Sequence, residues 1–102
     1  MDFIRQVLRI IKQIPKGRVS TYGGVAGSLG DVRAARAVGN ALNKNINLIN
    51  IPCHRVVRSD GSVGGYKLGS AQKVELLTGE GLKIRENKIL NFDEVLFKDF
   101  KI

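Results

Sequence analysis

The sequence predicts a single domain over residues 1–102, mainly helical with short strands. The length suffices for one hydrophobic core but not for two. Apolar residues recur at helical spacing through much of the first 43 residues. Strand signals are short and bounded by turn formers, as where Val56-Val57 precedes Ser59-Asp60-Gly61-Ser62. These three observations favour helices as the main elements, with short strands between them.

The first helix is predicted to run from Asp2, as its N-cap, to about Gln13. Its apolar residues recur at spacings of three and four, which is typical of one buried helix face. They are Ile4, Val7, Leu8, Ile11 and Ile14. Pro15-Lys16-Gly17 ends this helix because proline and glycine do not continue it.

Two further helices are predicted on either side of a turn at Gly30-Asp31. The earlier one covers about Tyr22 to Leu29 and is capped by Ser20 or Thr21. The later one, from about Val32 to Asn43, is rich in alanine. Two short helices around a glycine turn match a helix-turn-helix, and the small side chains would allow close approach to a nucleic-acid groove. From the pattern alone, a plain helical hairpin is the simpler interpretation.

The second half of the chain shows weaker patterns. Residues 44–52 alternate polar and apolar and predict an extended segment that stops at Pro52. Val56-Val57 predicts a short buried strand. Ser70 is the predicted N-cap of a helix over Ala71 to Thr78, stopped by Gly79. Glu86-Asn87-Lys88 indicates a small hairpin in the tail.

The net charge of +8 lies entirely in one part of the chain. Residues 1–58 hold ten lysines and arginines against two aspartates, whereas residues 59–102 hold seven of each sign. Such an excess favours a polyanionic partner, either a nucleic acid or an anionic membrane surface, although a solubilising surface explains it equally well.

Composition excludes several classes of protein. No apolar run approaches the ~18 residues of a membrane span. We see no secretory signal, and a single cysteine permits no intramolecular disulfide. We therefore expect an intracellular protein.

Reactive chemistry is predicted at Cys53 and His54, the only cysteine and the only histidine. A lone cysteine is most often a buried hydrophobe and a lone histidine structural. Here, however, they follow Pro52 at the end of a segment, and Arg55 and Arg58 are expected to lower the pKa of the thiol. A thiol and an imidazole are the minimum set for an activated sulfur nucleophile, and no further Cys or His is present to form a metal site. Because adjacent side chains seldom face each other, a direct Cys53–His54 pair is not favoured, and a water relay between them would remove that objection.

The motif Pro52-Cys53-His54-Arg55-Val56-Val57 resembles the active-site motif of the O6-alkylguanine-DNA alkyltransferases. Four other segments resemble family motifs in the same order and spacing. They are Val19-Ser20-Thr21-Tyr22, Ala34-Ala35-Arg36-Ala37-Val38-Gly39, Gly64-Gly65-Tyr66 and Leu76-Leu77-Thr78-Gly79-Glu80-Gly81. The match covers residues 3–85. The tail, 86–102, resembles that of small alkyltransferase-like proteins. The resemblance implies a winged-helix-like helix-turn-helix DNA-binding domain that carries the active-site loop.

This resemblance also implies five catalytic roles. Cys53 accepts the alkyl group irreversibly from guanine O6, once per molecule, and His54 takes the thiol proton through a water. Glu80 orients His54, and Tyr22 donates to the guanine ring. Asn45 ties the recognition helix to the active-site loop.

The implied partner is double-stranded DNA containing O6-alkylguanine, which must be flipped out of the duplex. Arg36 fills the vacated space, and the helix around it lies in the minor groove. The DNA-contacting residues implied are Thr21, Arg33, Ala34, Ala35, Arg36 and Gly39, and those of the base pocket are Leu42, Val56, Tyr66 and Lys67. The Lys67 backbone N–H faces O6, and the carbonyls of Cys53 and Val56 read the guanine amino group.

No cofactor, metal or membrane is implied, and we expect a monomer in the cytoplasm, at the nucleoid, or in the nucleus. One departure from the family is Lys67-Leu68, where Ser-Gly is common, and it predicts that Leu68 narrows the alkyl pocket. Three alternative functions remain at this stage: a lesion-sensing alkyltransferase-like protein, which commonly has Trp in place of the reactive Cys, a helix-turn-helix transcription regulator, and a cysteine hydrolase.

Overall fold

Helices and two small strand pairs form the fold of the described residues, 2–48 and 50–102, of a computed structural model. In chain order the elements are α1 (Phe3–Ile11), β1 (Ser20–Thr21), α2 (Tyr22–Ser28), α3 (Ala35–Asn43), β2 (Val56–Val57), α4 (Ser70–Gly79), β3 (Ile84–Arg85), β4 (Lys88–Ile89) and α5 (Phe92–Val95), with 3₁₀ turns at Val32–Ala34 and Cys53–Arg55. The predicted fold class, mainly helical with short strands, is confirmed.

Helix α1 forms as its sequence pattern predicts. The Asp2 carboxylate accepts a 2.9 Å hydrogen bond from the Arg5 backbone N–H, which satisfies a donor that has no partner within the helix. The buried face carries Val7, Ile10 and Ile11. This helix ends at Ile11, two residues before the predicted end at Gln13. Helices α2 and α3 pack against its apolar face.

Helices α2 and α3 form the predicted helix-turn-helix. Thr21 caps α2 by accepting a 2.8 Å hydrogen bond from the Gly24 N–H. Asp31 caps the 3₁₀ turn at Val32–Ala34, which leads directly into α3. The two helices bury Val25 and Val38 against α1. One face of α3 therefore belongs to the core, which leaves the face that carries Arg36 exposed.

Strand β2 positions the reactive segment. It pairs in parallel with β1, with Ser20 opposite Val56 and Thr21 opposite Val57. Successive strand residues face opposite sides, so Val56 joins the cluster around α1–α3 and Val57 joins a second cluster that includes Leu77 of α4. The strip from Cys53 to Val57 is consequently fixed between the two halves of the core.

Two local predictions are wrong. Residues 44–52 are not extended: apart from residue 49, which lies outside the described residues, they form turns closed by a 3.1 Å hydrogen bond from the Ile51 N–H to the Asn47 carbonyl. The alternation of polar and apolar residues wrongly indicated an extended segment, since Ile46 is 91% exposed and does not pack in the core. Ser70 is the first residue of α4 rather than its N-cap, which is Gly69 at a φ of +99°.

The C-terminal segment is integrated into the fold. The predicted hairpin is confirmed, with Glu86 and Asn87 at positive φ in the turn between β3 and β4. Beyond α5, which the sequence did not predict, the chain returns to α1, and the Gln13 side chain forms two 2.7 Å hydrogen bonds with the Lys101 backbone. None of the described helices is both long and apolar enough to span a membrane.

Candidate active site

A cavity of about 460 Å³ opens between α3, the start of α2, and the loops at residues 53–58 and 65–67. Its lining residues are Tyr22, Arg36, Gly39, Asn40, Leu42, Asn43, Cys53, Arg58, Gly65, Tyr66 and Lys67. The cavity therefore brings together seven of the catalytic, DNA-contacting and base-pocket residues that the resemblance implies, from four separate segments. His54, Glu80 and Asn45 are not on its wall, but His54 contacts Glu80, and Asn45 contacts Cys53.

The Cys53 sulfur is buried and hydrogen-bonded. The Asn45 side-chain amide donates to Sγ at 2.7 Å, and Sγ lies 3.9 Å from the Leu42 carbonyl oxygen. Burial raises the pKa of the thiol, against opposing effects of the Asn45 hydrogen bond and of the Lys67 and Lys73 charges. The expectation that Arg55 and Arg58 lower this pKa is wrong, because burial dominates and the nearby positive charges come from lysines.

Asn45 links the end of α3 to the reactive segment. Its amide nitrogen donates to the Ile51 carbonyl at 3.2 Å as well as to Cys53. Its amide oxygen accepts from the Asn47 N–H at 3.0 Å, and its backbone N–H donates to the Leu42 carbonyl. One side chain thus fixes the turn that delivers Cys53 to the cavity.

His54, Glu80 and Arg55 form a hydrogen-bonded cluster. His54 Nε2 lies 2.9 Å from Glu80 Oε2. Arg55 donates to both carboxylate oxygens, at 2.9 Å from Nε and 2.7 Å from Nη2, and its Nη1 donates to the Ile14 carbonyl at 2.8 Å. A bidentate arginine of this kind fixes the orientation of the carboxylate that holds the imidazole. From the sequence, Arg55 is expected to lower the pKa of the Cys53 thiol, and its hydrogen bonds to Glu80 are not predicted.

His54 keeps one ring nitrogen without a protein partner. Nδ1 is buried, and no hydrogen bond to it is present among the described residues. Because Nε2 is already held by Glu80, Nδ1 is the atom available to a small polar molecule. The rings of Tyr66 and His54 form a T-shaped contact, with 6.4 Å between ring centroids.

Acid should weaken the fold through Glu80. Burial by itself would raise the pKa of Glu80, but the hydrogen bonds from Arg55 and His54 outweigh it and lower the pKa below the ordinary 4.5. The carboxylate therefore stabilises the fold above that ordinary value, and this stability is lost as the pH falls through the lowered value. Between pH 6 and 3, Glu80→Gln should lose less thermal stability than the wild type. Glu75→Gln, an exposed change on α4, should keep the wild-type slope; equal slopes for all three proteins would contradict the prediction.

Lys73 is a functional candidate that sequence reasoning missed. It is completely buried on α4, and its ammonium donates to the Val56 carbonyl at 2.6 Å, to the Gly65 carbonyl at 3.0 Å and to the Tyr22 hydroxyl at 3.4 Å. Burial, with Arg58 adding to it, lowers the pKa of Lys73 to about 8, although Cys53 opposes this. The available signal was its place one helical turn before the buried Leu77.

Tyr22 lies at the first position of α2 with its hydroxyl at the cavity. The hydroxyl donates to the Gly65 carbonyl at 3.4 Å and accepts from Lys73. Burial raises the pKa of Tyr22, with Arg58 opposing and Cys53 adding to the rise. The phenol therefore keeps its proton at neutral pH.

The remaining predicted residues lie outside the cavity wall. Arg33 pairs with Asp31 at 3.0 Å on the surface, and Thr21 is occupied as a helix cap. The Val56 side chain is in the core, whereas its carbonyl accepts from Lys73. The others are Ala34, the last residue of the 3₁₀ turn, and Ala35, the first residue of α3, and both are half-buried. Leu68 is 58% exposed and absent from the lining, so the prediction that it narrows the pocket is wrong.

A family of known proteins matches most of this chain. A model described as "6-O-methylguanine DNA methyltransferase, DNA binding domain" matches residues 2–82. The bifunctional methyltransferase/endonuclease of Thermoplasma volcanium is 47% identical over 98% of this chain and 32% of its own length. The methylated-DNA–protein-cysteine methyltransferase of Saccharolobus islandicus is 48% identical over 82% of this chain and 54% of its own. The chain thus spans about a third to a half of these curated relatives.

Solved structures agree with this match. S. pombe Atl1, in complex with damaged DNA containing O6-carboxymethylguanine, superposes with a TM-score of 0.82 at 30% identity and 94% coverage of both chains. Mycobacterium tuberculosis OGT, in complex with DNA, superposes with a TM-score of 0.75 at 40% identity over 78% of this chain and 50% of that one.

Proposed function

Because the chain belongs to the 6-O-methylguanine DNA methyltransferase family through that family's DNA-binding domain, we propose that it repairs DNA by direct reversal, transferring the alkyl group of a flipped O6-alkylguanine irreversibly to Cys53. The observation that carries the proposal is the position of Cys53 on the wall of a cavity of about 460 Å³, next in sequence to His54, which belongs to a hydrogen-bonded cluster with Glu80 and Arg55. A cavity of this volume is within the range of small-ligand sites and accommodates a purine.

The protonated thiol must lose its proton to react. Since Glu80 holds His54 at Nε2, the unpartnered Nδ1 is the acceptor, and a water between Nδ1 and Sγ carries the proton. The Glu80 carboxylate then stabilises the imidazolium, and Arg55 keeps that carboxylate in place. The raised pKa of Cys53 makes this removal of the proton necessary at neutral pH.

In the transfer step, the sulfur forms a bond to the alkyl carbon as the bond from that carbon to O6 breaks. The electron pair passes to the purine, which takes up a proton and leaves as guanine. The Tyr22 hydroxyl, which keeps its proton, turns from the Gly65 carbonyl to donate to the purine ring. Lys73 holds the Val56 and Gly65 carbonyls in the positions from which the pocket reads the base. Leu42, Tyr66 and the Lys67 backbone complete the pocket.

Duplex DNA is the proposed partner, bound through the exposed face of α3. The basic excess of residues 1–58 coincides with the helix-turn-helix and the reactive strip. Thr21, Arg33, Ala34, Ala35 and Gly39 are the proposed contacts beside Arg36, in the minor groove. The chain acts as one domain and one monomer in this proposal, in whichever compartment holds the DNA, the cytoplasm or the nucleus.

The test is stoichiometric transfer. The protein is incubated with a duplex containing one O6-methylguanine, and its intact mass and the mapped peptide are measured. One methyl group on Cys53, at one equivalent and without turnover, is the expected result. An unmodified protein that nevertheless prefers the lesion duplex would reject catalysis.

That second outcome corresponds to a second candidate function, a lesion sensor without chemistry. It is favoured by the likeness to S. pombe Atl1 along 94% of both chains, which includes the C-terminal segment. Against it stands the thiol itself, hydrogen-bonded and facing the cavity.

Arg36 should matter for duplex substrates more than for the free base. It is exposed on α3 at the cavity mouth, where it can occupy the space that a flipped base leaves. Arg36→Ala should slow transfer from duplex DNA about tenfold. Flipping the base out of the duplex costs a few kcal/mol, and the variant lacks the side chain that fills the vacated space. Transfer from free O6-methylguanine should change little. Arg85→Ala, which removes an exposed arginine of β3 outside the proposed DNA contacts, is the matched control. An unchanged rate of transfer from duplex DNA in Arg36→Ala would reject this role for Arg36.

A further inference from the structure

The Lys67 side chain has no part in the transfer described above, yet it lies on the cavity wall beside the nucleophile. Its ammonium donates a 2.8 Å hydrogen bond to the Asn45 carbonyl oxygen. Asn45 in turn contacts the Cys53 sulfur at 2.7 Å through its side-chain amide. Burial raises the pKa of Cys53, and the Lys67 charge is among the influences that oppose this rise, which places the ammonium within electrostatic reach of the sulfur.

The charged part of the cavity wall is entirely positive. Arg36, Arg58 and Lys67 line it, and among its described lining residues there is no aspartate or glutamate. Acidic groups outside this lining are engaged elsewhere: Asp31 pairs with Arg33, Asp60 pairs with Lys88, and Glu80 accepts from His54 and Arg55. A negative group that enters the cavity therefore meets attraction without a competing repulsion.

Of these three cations, Lys67 is the one linked by hydrogen bonds, through Asn45, to the Cys53 sulfur that accepts the alkyl group. Arg36 projects from α3, and Arg58 influences the pKa values of Tyr22 and Lys73. Lys67 is hydrogen-bonded to the same residue that holds the sulfur. An ammonium has three N–H donors, of which the Asn45 carbonyl uses one, so two remain for a ligand.

We propose, building on the alkyl transfer above, that Lys67 makes this site selective for O6-alkyl groups that end in a carboxylate over neutral groups of the same size. In the reaction the Cys53 sulfur bonds to the methylene carbon of the –CH₂–COO⁻ group, and the bond from that carbon to O6 breaks. The electron pair goes to the purine, which takes up the proton, while the carboxylate stays on the alkyl group and pairs with the ammonium. The product is guanine and an S-carboxymethylated Cys53.

The experiment compares two duplexes that differ in charge but not in shape. One contains O6-carboxymethylguanine and the other its amide, O6-carbamoylmethylguanine. Transfer rates are measured for each, and so are binding constants with Cys53→Ser protein, so that selectivity is readable even if the chain transfers nothing. The quantity compared is the ratio of anionic to neutral adduct within each protein, because effects common to both adducts cancel.

Lys67→Ser should lower this ratio about tenfold, which is the scale of a hydrogen bond to a charged group at a partly exposed site. Lys67→Arg, which keeps the charge, should retain the ratio within about twofold. Lys98→Ser removes the same charge on the C-terminal segment and should leave the ratio unchanged.

Three results would overturn the inference. The first is that Lys67→Ser changes neither the ratio nor the binding of either adduct. The second is that both adducts lose affinity by the same factor, which would make Lys67 a contact to the DNA backbone. The third is an equal fall in Lys98→Ser, which would mean that net charge alone is responsible. Loss of methyl transfer with the binding ratio intact would instead reject the proposed function and leave this selectivity standing.

Discussion

Cys53→Ser should abolish alkyl transfer completely while leaving the affinity for a lesion duplex within about twofold of wild type. The hydroxyl is close in size to the thiol, so the hydrogen bond from Asn45 and the shape of the cavity survive. A serine hydroxyl, however, is a far weaker nucleophile, and the His54–Glu80 pair is arranged to remove a proton from a thiol rather than from an alcohol. The measurement is intact mass after incubation with an O6-methylguanine duplex, paired with lesion binding by the same variant.

Cys53 carries a further diagnostic value because it is the only cysteine. Any sulfur alkylation seen by mass must therefore be at this position, and the variant needs no second-site control. A methyl group found on the Cys53→Ser protein would place the acceptor elsewhere and reject the mechanism. A wild type that remains unmodified but binds as tightly as the variant would assign the chain to lesion sensing.

Local sequence signals predicted most of the helices correctly, because their causes are local. The spacing of apolar residues in α1 and the caps at Asp2 and Thr21 act over three or four residues. Strand β1 escaped prediction because it exists only through pairing with Val56, far along the chain. The turns at 44–52 escaped it because side-chain hydrogen bonds of Asn45 and Asn47 replace the ladder of a strand.

Site residues that belong to a sequence motif could be predicted, whereas residues whose role depends on where the side chain points could not. Cys53, His54 and Glu80 followed from motifs, and the structure brings them together. Arg55 stands two positions from Cys53, yet its guanidinium turns to Glu80 and the Ile14 carbonyl. The role of Lys73 was not predicted, because nothing in a single sequence reveals that its ammonium donates hydrogen bonds to the Val56 and Gly65 carbonyls.

Glu80→Gln should slow transfer about 100-fold, within the range that a general base contributes. Both carboxylate oxygens face Arg55 donors, and Oε2 also faces His54. An amide can offer an oxygen at only one of these positions, so its NH₂ group opposes an Arg55 N–H in either orientation. The neutral side chain also loses the attraction that stabilises the imidazolium. Single-turnover rates at neutral pH measure the effect, with Glu75→Gln as the matched change on the same helix.

Arg55→Met separates this role from simple structural support. The methionine removes three hydrogen bonds but leaves the 2.9 Å contact between His54 and Glu80 available. Because a partly buried carboxylate then loses its strongest partner, we expect unfolding to become easier by about 2 kcal/mol. The transfer rate of the folded variant should nevertheless fall less than in Glu80→Gln, since the charge beside His54 remains. A rate loss in Arg55→Met equal to that in Glu80→Gln, measured well below both unfolding temperatures, would mean that orientation of the carboxylate rather than its charge controls the imidazole.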